Sequence, residues 1–263
     1  MKEKSRILSK LMGLAVIACV MAMLFGMTAL AANRYVTMSP GVPYTNLEKD
    51  AGITHYYKIN VKSSGTIQFN GIAKYSNSYG SSYFTGLTVK FCNSKGKVLD
   101  TKTVNSNYDN DVMYAVNKGT YMLKIQTSNE FAVAYKFNAF KEKSGSSLKK
   151  AVSLKKKKVK YGVLGIGEPS RKTDCYKIVL KKPAKIYLDV ETKANSTISV
   201  KIKPSKTTKV TGDPTYYFHN DRKSIKLQTT SGGKLPKGTY YISISRLNKS
   251  SKVNGVYALR WRK

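Results

Sequence analysis

The chain has 263 residues, with 47 Lys+Arg against 14 Asp+Glu, a formal net charge of +33 and a sequence pI near 10.0. A field of that sign draws anionic polymers and is screened by salt. The scarcity of carboxylates excludes any obvious paired acid/base chemistry, and three cysteines exclude a disulfide scaffold.

The first 32 residues are expected to lie outside the fold. A basic start, MKEKSRILSK, precedes an almost wholly apolar run over 11–27, and ALAA at 29–32 offers small residues for cleavage. That is the layout of a secretory signal peptide, cut after Ala31 or Ala32. A transmembrane anchor would need a longer apolar run. The stretch Val16-Ile17-Ala18-Cys19 resembles a lipoprotein box, although apolar residues follow where a polar tether would be expected. Secretion is therefore the expectation, with attachment to a cell wall as an extension of it.

The exported part says nearly the same thing twice. HYYKINVKSSGTIQFN (55–70) returns as DCYKIVLKKPAKIYLD (174–189), and NKGTYMLKIQ (117–126) returns as PKGTYYISIS (236–245). Both matches share an offset of 119 residues, far beyond the period of a solenoid repeat, so they predict tandem domains over 33–143 and 144–263. Alternation is the secondary-structure signal throughout. Tyr121, Leu123 and Ile125 face one way while Met122, Lys124 and Gln126 face the other; Tyr240, Ile242 and Ile244 repeat this against Tyr241, Ser243 and Ser245. Tyr57, Ile59 and Val61 match Tyr176, Ile178 and Leu180, and Ile67 and Phe69 match Ile186 and Leu188. Leu87, Val89 and Phe91 match Ile198, Val200 and Ile202 at a shorter offset, which places extra residues near 75–84 in the first copy and near 204–221 in the second. AYKFNAF and VYALRWR close the two units. NSKGK (93–97) and NKGT (117–120) place Gly where a turn wants positive φ. The expectation is all-β: two tandem antiparallel β-sandwich (jelly-roll-like) domains of about seven strands each, after a signal peptide.

Residues 143–160 form the one linker candidate, flexible at its start. Its later part, AVSLKKKKVKYGVL, reads as a first edge strand, where lysine would deter sheet-to-sheet aggregation. The charge is uneven: 33–143 holds 14 Lys+Arg against 7 Asp+Glu, and 144–263 holds 29 against 6. Solubility alone explains a high charge but not that asymmetry between two copies of one fold.

The strands YYKI and CYKI, LTVKF followed by SKGK, KGTY with alternating apolar residues, and a final Y-x-φ strand together resemble the bacterial pre-peptidase C-terminal domain. The resemblance covers nearly all of 35–263 as two copies. It implies small β-sandwiches on a secreted bacterial protein, often beside a protease, and in some relatives collagen or polysaccharide binding. The sequence departs from that pattern at TVKF and SVKI, where family members often carry Asp-x-Asp, so calcium-assisted behaviour is not implied.

Chemistry beyond binding is hard to place. His55 aligns with Asp174 and reads as a surface residue; neither it nor His219 has ligand or triad spacing. Asp109-Asn110-Asp111 suits Ca²⁺ in composition but reads first as a turn. No catalytic residue, metal or cofactor is expected. Cys92 and Cys175, one per copy at non-matching positions, read as free or partly buried thiols. The loop AKYSNSYGSSYF (73–84) mixes Tyr with Ser, Asn and Gly, the composition of a recognition surface. Tyr75, Tyr79, Tyr83, Tyr216 and Tyr217 are the aromatic candidates for ligand contact, whereas Tyr57, Tyr121, Tyr176 and Tyr240 read as core. Lys155, Lys156, Lys157 and Lys158, with Lys181, Lys182 and Lys185, are the charge candidates. Lysine acts as a flexible point charge and arginine as a planar fork, so a Lys-rich sandwich suggests a diffuse polyanion surface. The expected partner is an anionic extracellular polymer, a teichoic acid or acidic polysaccharide, and not a specific nucleic acid. The alternative is an accessory or inhibitory partner of a secreted protease.

Overall fold

The computed structural model describes residues 34–46, 53–74, 87–104, 112–126, 131–204, 214–229 and 231–263. Residues 1–32, expected to be a leader, and the tripeptide Asp109–Asp111 fall outside that set. Eighteen strands and no helix make up the described residues. The first copy contributes β1 (Arg34–Met38), β2 (Tyr44–Asn46), β3 (Thr54–Val61), β4 (Gly65–Lys74), β5 (Leu87–Asn93), β6 (Val98–Val104), β7 (Val112–Val116), β8 (Gly119–Gln126) and β9 (Phe131–Ala139). The second contributes β10 (Val152–Ser153), β11 (Lys160–Leu164), β12 (Thr173–Leu180), β13 (Ile186–Ala194), β14 (Ile198–Pro204), β15 (Thr215–Phe218), β16 (Arg222–Leu227), β17 (Gly238–Arg246) and β18 (Gly255–Arg262). The count is nine per copy rather than seven, because short edge strands such as β2 and β10 are too brief to show a period.

Each copy is two facing sheets with one strand order. Five strands run β1-β3-β8-β5-β6 and four run β2-β9-β4-β7; the second copy repeats this as β10-β12-β17-β14-β15 and β11-β18-β13-β16. Every pairing is antiparallel except the first, β1 with β3 and β10 with β12, which is parallel. Alternating chemistry becomes alternating burial: β8 and β17 bury Tyr121, Leu123, Ile125 and Tyr240, Ile242, Ile244 while turning the intervening residues outward. The apolar sets predicted for β3, β4, β12, β13 and β14 all fill the two cores. Burying each such side chain stabilises by about 1.5–3 kcal/mol.

Two local expectations need correction, and the reading of the cysteines holds. Gly96 does take positive φ, at 79°, with its amide on the Asn93 carbonyl, but Gly119 has no left-handed backbone and simply opens β8. His55 is buried at 5% exposure, its ring edge-on to Phe131 at 5.2 Å and parallel to Tyr57 at 6.4 Å, so it belongs to the aromatic packing and not the surface. Cys92 and Cys175 are both buried and free.

The segment after β9 is no loose tether. Phe140 donates its amide to the Ser64 carbonyl, Gly145 and Cys175 exchange both backbone hydrogen bonds, and Leu154 donates to Lys177. Residues 152–164 then supply two edge strands, one to each sheet, with the lysine run in the turn between them.

The copies also dock. Ile166, in the turn after β11, is 3% exposed and packs into the core of the first copy, with its amide on the Ala115 carbonyl at 2.8 Å. Fully buried Asn254 accepts the Ala115 amide at 2.7 Å, and Asn117 donates to Glu168. Buried polar groups satisfied in this way give the contact a single geometry.

Candidate functional site

The strongest polar feature is built from turns. At the end of the second sandwich remote from Ile166, β12 and β14 finish, β13 and β17 begin and β18 ends; Leu180 lies opposite Gly238 and Tyr187 opposite Arg262. The turn 155–158 reaches this end through the Lys157 amide on the Trp261 carbonyl at 2.8 Å and the Trp261 indole on the Leu154 carbonyl at 2.9 Å. The turn 181–185 is tied to the loop before β17 by two backbone hydrogen bonds between Ala184 and Leu235. The fold thus brings together Lys155, Lys156, Lys157 and Lys158 with Lys181, Lys182 and Lys185, all exposed. It adds the exposed Lys234 and Lys237, the second being the lysine of KGTY.

No Asp or Glu occurs in 154–160, 180–187, 231–238 or 261–263. Among the described residues, none of these lysines has a carboxylate at ion-pair distance, whereas Lys172, Lys223, Arg222, Arg246, Arg260 and Arg262 all do. Among the described residues, the lysines at this end are therefore without an ion-pair partner, unlike Arg262, which faces Asp189.

The backbone makes the tetralysine turn more telling. Lys158 donates its amide to the Lys155 carbonyl, and Lys157 stands at φ 60°. In the first copy Ser39-Pro40-Gly41-Val42 makes the same turn: Val42 donates to Ser39, Gly41 has φ 78°, and its amide binds the carbonyl of Tyr135. Positive φ at the third position favours Gly, and Pro favours the second. Lysine at the third position costs about 1–2 kcal/mol. The lysine run is thus placed against its own turn chemistry, and it does not lie on an edge strand.

The aromatic candidates separate. Tyr75, Tyr79 and Tyr83 lie outside the described residues. Tyr216 packs half-buried against the second core, which raises its pKa. Tyr217 is 55% exposed on the outer face of the five-stranded sheet, paired with Ser199 and away from the lysine turns. His219 is exposed in the turn after β15.

A second polar cluster, unseen in the sequence, fills the junction of the copies. Asp174, 1% exposed, accepts from Tyr257 at 2.7 Å and Ser144 at 3.0 Å. Lys172 sits 2.6 Å from Glu168 and 3.7 Å from both Glu142 and Asp174. The buried Arg246 guanidinium binds Glu168 and the carbonyls of Gly165, Pro169 and Val253. Burial raises the pKa of Asp174 and of Glu142, with Lys172 pulling the other way. No short motif joins these residues, because they come from four separate stretches of chain. Every member is paired within the fold, so the cluster is a structural network. No group of three or more metal-ligating side chains is assembled among the described residues, and no helix among them is long and apolar enough to cross a membrane.

No family model matches this chain, and no curated protein does. Among solved structures it is similar to the CUB1-EGF-CUB2 domains of rat MASP-1, at 10% identity over 88% of this chain and 100% of that one, with a TM-score of 0.26. It is also similar to the ANXUR2 extracellular domain from Arabidopsis thaliana, at 7% identity over 86% of this chain and 87% of that one, with a TM-score of 0.25. At such scores the likeness transfers no role to this chain, whose all-β architecture stands on its own strands.

Proposed function

We propose that this is an exported, non-catalytic binding protein whose second sandwich attaches to an anionic extracellular polymer, a teichoic acid of the cell wall or an acidic polysaccharide. The observation that carries this reading is the tetralysine turn: four cations occupy a backbone conformation that the sister domain fills with Ser-Pro-Gly-Val. Lys181, Lys182, Lys185, Lys234 and Lys237 extend the same end. Lysines on three turns, with no carboxylate partner among the described residues, suit a flexible chain of repeating negative charges, for which a diffuse field matters more than a shaped pocket.

Retention of the leaderless chain on purified walls and on an acidic polysaccharide, across a salt series, tests this. The whole chain is the object to use, since Ile166 ties the copies together. Retention at low salt that is lost as salt rises, and lost earlier when residues 155–158 are replaced by Ser-Pro-Gly-Val, supports the proposal. Absence of retention at low salt overturns it.

A further inference from the structure

The segment that joins the two copies is held by polar groups whose protons can be counted. Glu142 and Ser144 lie on it. On one side the Phe140 amide binds the Ser64 carbonyl of the first copy, and on the other Gly145 exchanges backbone hydrogen bonds with Cys175 of the second. The Ser144 Oγ stands 3.1 Å from Oε1 of Glu142 and 3.0 Å from Oδ1 of Asp174. A hydroxyl has one proton to give, so Ser144 donates fully to only one of the two. The other contact is a hydrogen bond only when that carboxyl carries a proton and donates it to the Ser144 oxygen. The second oxygen of Asp174 already accepts from the Tyr257 hydroxyl at 2.7 Å, which lies 2.9 Å from the Tyr176 hydroxyl.

The charges around Glu142 also call for a proton. Asp174 of β12, Lys172 just before that strand, Glu168 in the turn after β11 and Arg246 of β17 make up the cluster. Burial keeps the phenols of Tyr176 and Tyr257 protonated, and Lys141 and Lys143, beside Glu142 in the chain, are exposed. Lys172 bonds Glu168 at 2.6 Å and reaches Glu142 and Asp174 only at 3.7 Å, and Arg246 also binds Glu168. Three carboxyls thus face two cations. An unmatched buried charge is costly, and one proton on the Glu142–Asp174 pair removes the excess. Burial raises the pKa of both groups. The first copy has His55 packed on Phe131 in place of Asp174, so the arrangement is not repeated there.

From this geometry we propose that Glu142, Ser144 and Asp174 form a proton-operated clasp that fastens the joining segment to the second sandwich. With one proton on the pair, the Glu142 carboxyl donates to Ser144, Ser144 donates to Asp174, and the segment is closed. Loss of that proton sets two carboxylates against one hydroxyl, and the segment loosens. The clasp is therefore closed in mild acid and opens as pH rises through the pair's folded value. Opening also frees Phe140, whose ring lies 5.6 Å from that of Tyr161 on the aromatic side of a trough that Glu191 and Arg222 line as well. Hydrogen exchange of the Gly145 and Cys175 amides in the leaderless chain, corrected for the intrinsic pH dependence of exchange, tests this. Their protection should fall by up to about tenfold per pH unit above that value, while the Leu123 amide in the β3–β8 ladder stays protected. Carboxyl-carbon NMR should show one carboxyl of the pair titrating above the ordinary range. Glu142→Gln, whose amide donates to Ser144 at every pH, should hold the protection constant. Protection at Gly145 and Cys175 that ignores pH in the unaltered chain overturns the proposal, as does a fall shared equally by Leu123 or one that persists in Glu142→Gln. Titration of both carboxyls in the ordinary range overturns it too.

Discussion

The two copies share a strand order and differ in what they place on it. At the inward end of the third strand, His55 of the first copy packs against Phe131; at the matching position Asp174 of the second accepts a hydrogen bond from Tyr257. The turn between the first two strands is Ser-Pro-Gly-Val in one and four lysines in the other. The frame is thus indifferent to the polar content hung on it, as long as the inward alternation is kept. Charge and network in the second copy are additions to a sandwich that the first shows can stand without them.

Breaking that network should have the largest effect. Asp174→Ala leaves the Tyr257 and Ser144 hydroxyls without their buried acceptor and unbalances Lys172, costing about 3 kcal/mol; His55→Ala should cost less, a difference read by denaturant unfolding. Ile166→Ala, which empties a site in the first core from the second copy, is expected to cost about 2–4 kcal/mol. It should also separate the two copies into distinct calorimetric transitions. A single unshifted transition would contradict the docking.

The turns give a smaller and opposite effect. Lys157→Gly relieves the left-handed strain and should raise stability by about 1 kcal/mol while lowering retention on polyanions. Gly41→Lys in the first copy should do the reverse to stability. If both substitutions were neutral in a thermal melt, the comparison of the turns would fail.

The pH response is the finest test. Asp174 and Glu142 have raised pKa values in the folded state, so they take up protons before the unfolded chain does. Their contribution to stability is fully present below the ordinary carboxylate range, roughly pH 4, and is lost as pH rises through their folded values. Asp189 runs the other way: partial burial opposes its ionisation, but Ser224, Arg260 and Arg262 outweigh burial and hold its pKa low. Its contribution is present above that range and lost in stronger acid. Asp174→Asn should therefore flatten the melting temperature between mildly acidic and neutral pH, and Asp189→Asn should flatten it only at the acid end.

The strands were legible because alternation is local: a residue and its neighbour two along share a face whatever the rest of the chain does. Internal repetition made the division into two copies legible too, and the lysine runs were visible as composition. What lay beyond reach depended on distance in sequence. The edge strands β2 and β10 are too short to carry a period, and the burial of His55 depends on Phe131. The junction network draws Glu142, Ser144, Glu168, Asp174, Arg246 and Tyr257 from stretches that share no motif.

By itself, the sequence determined an all-β chain of two like sandwiches and an excess of cations in the second, because pattern and charge are properties of short windows. Only the tertiary structure decided that 155–158 is a strained turn at the same end as two other lysine-bearing turns, that Ile166 belongs to the neighbouring core, and that Tyr161, Glu191 and Arg222 line one trough. Those facts depend on strand order and register, which bring together residues that no local pattern connects.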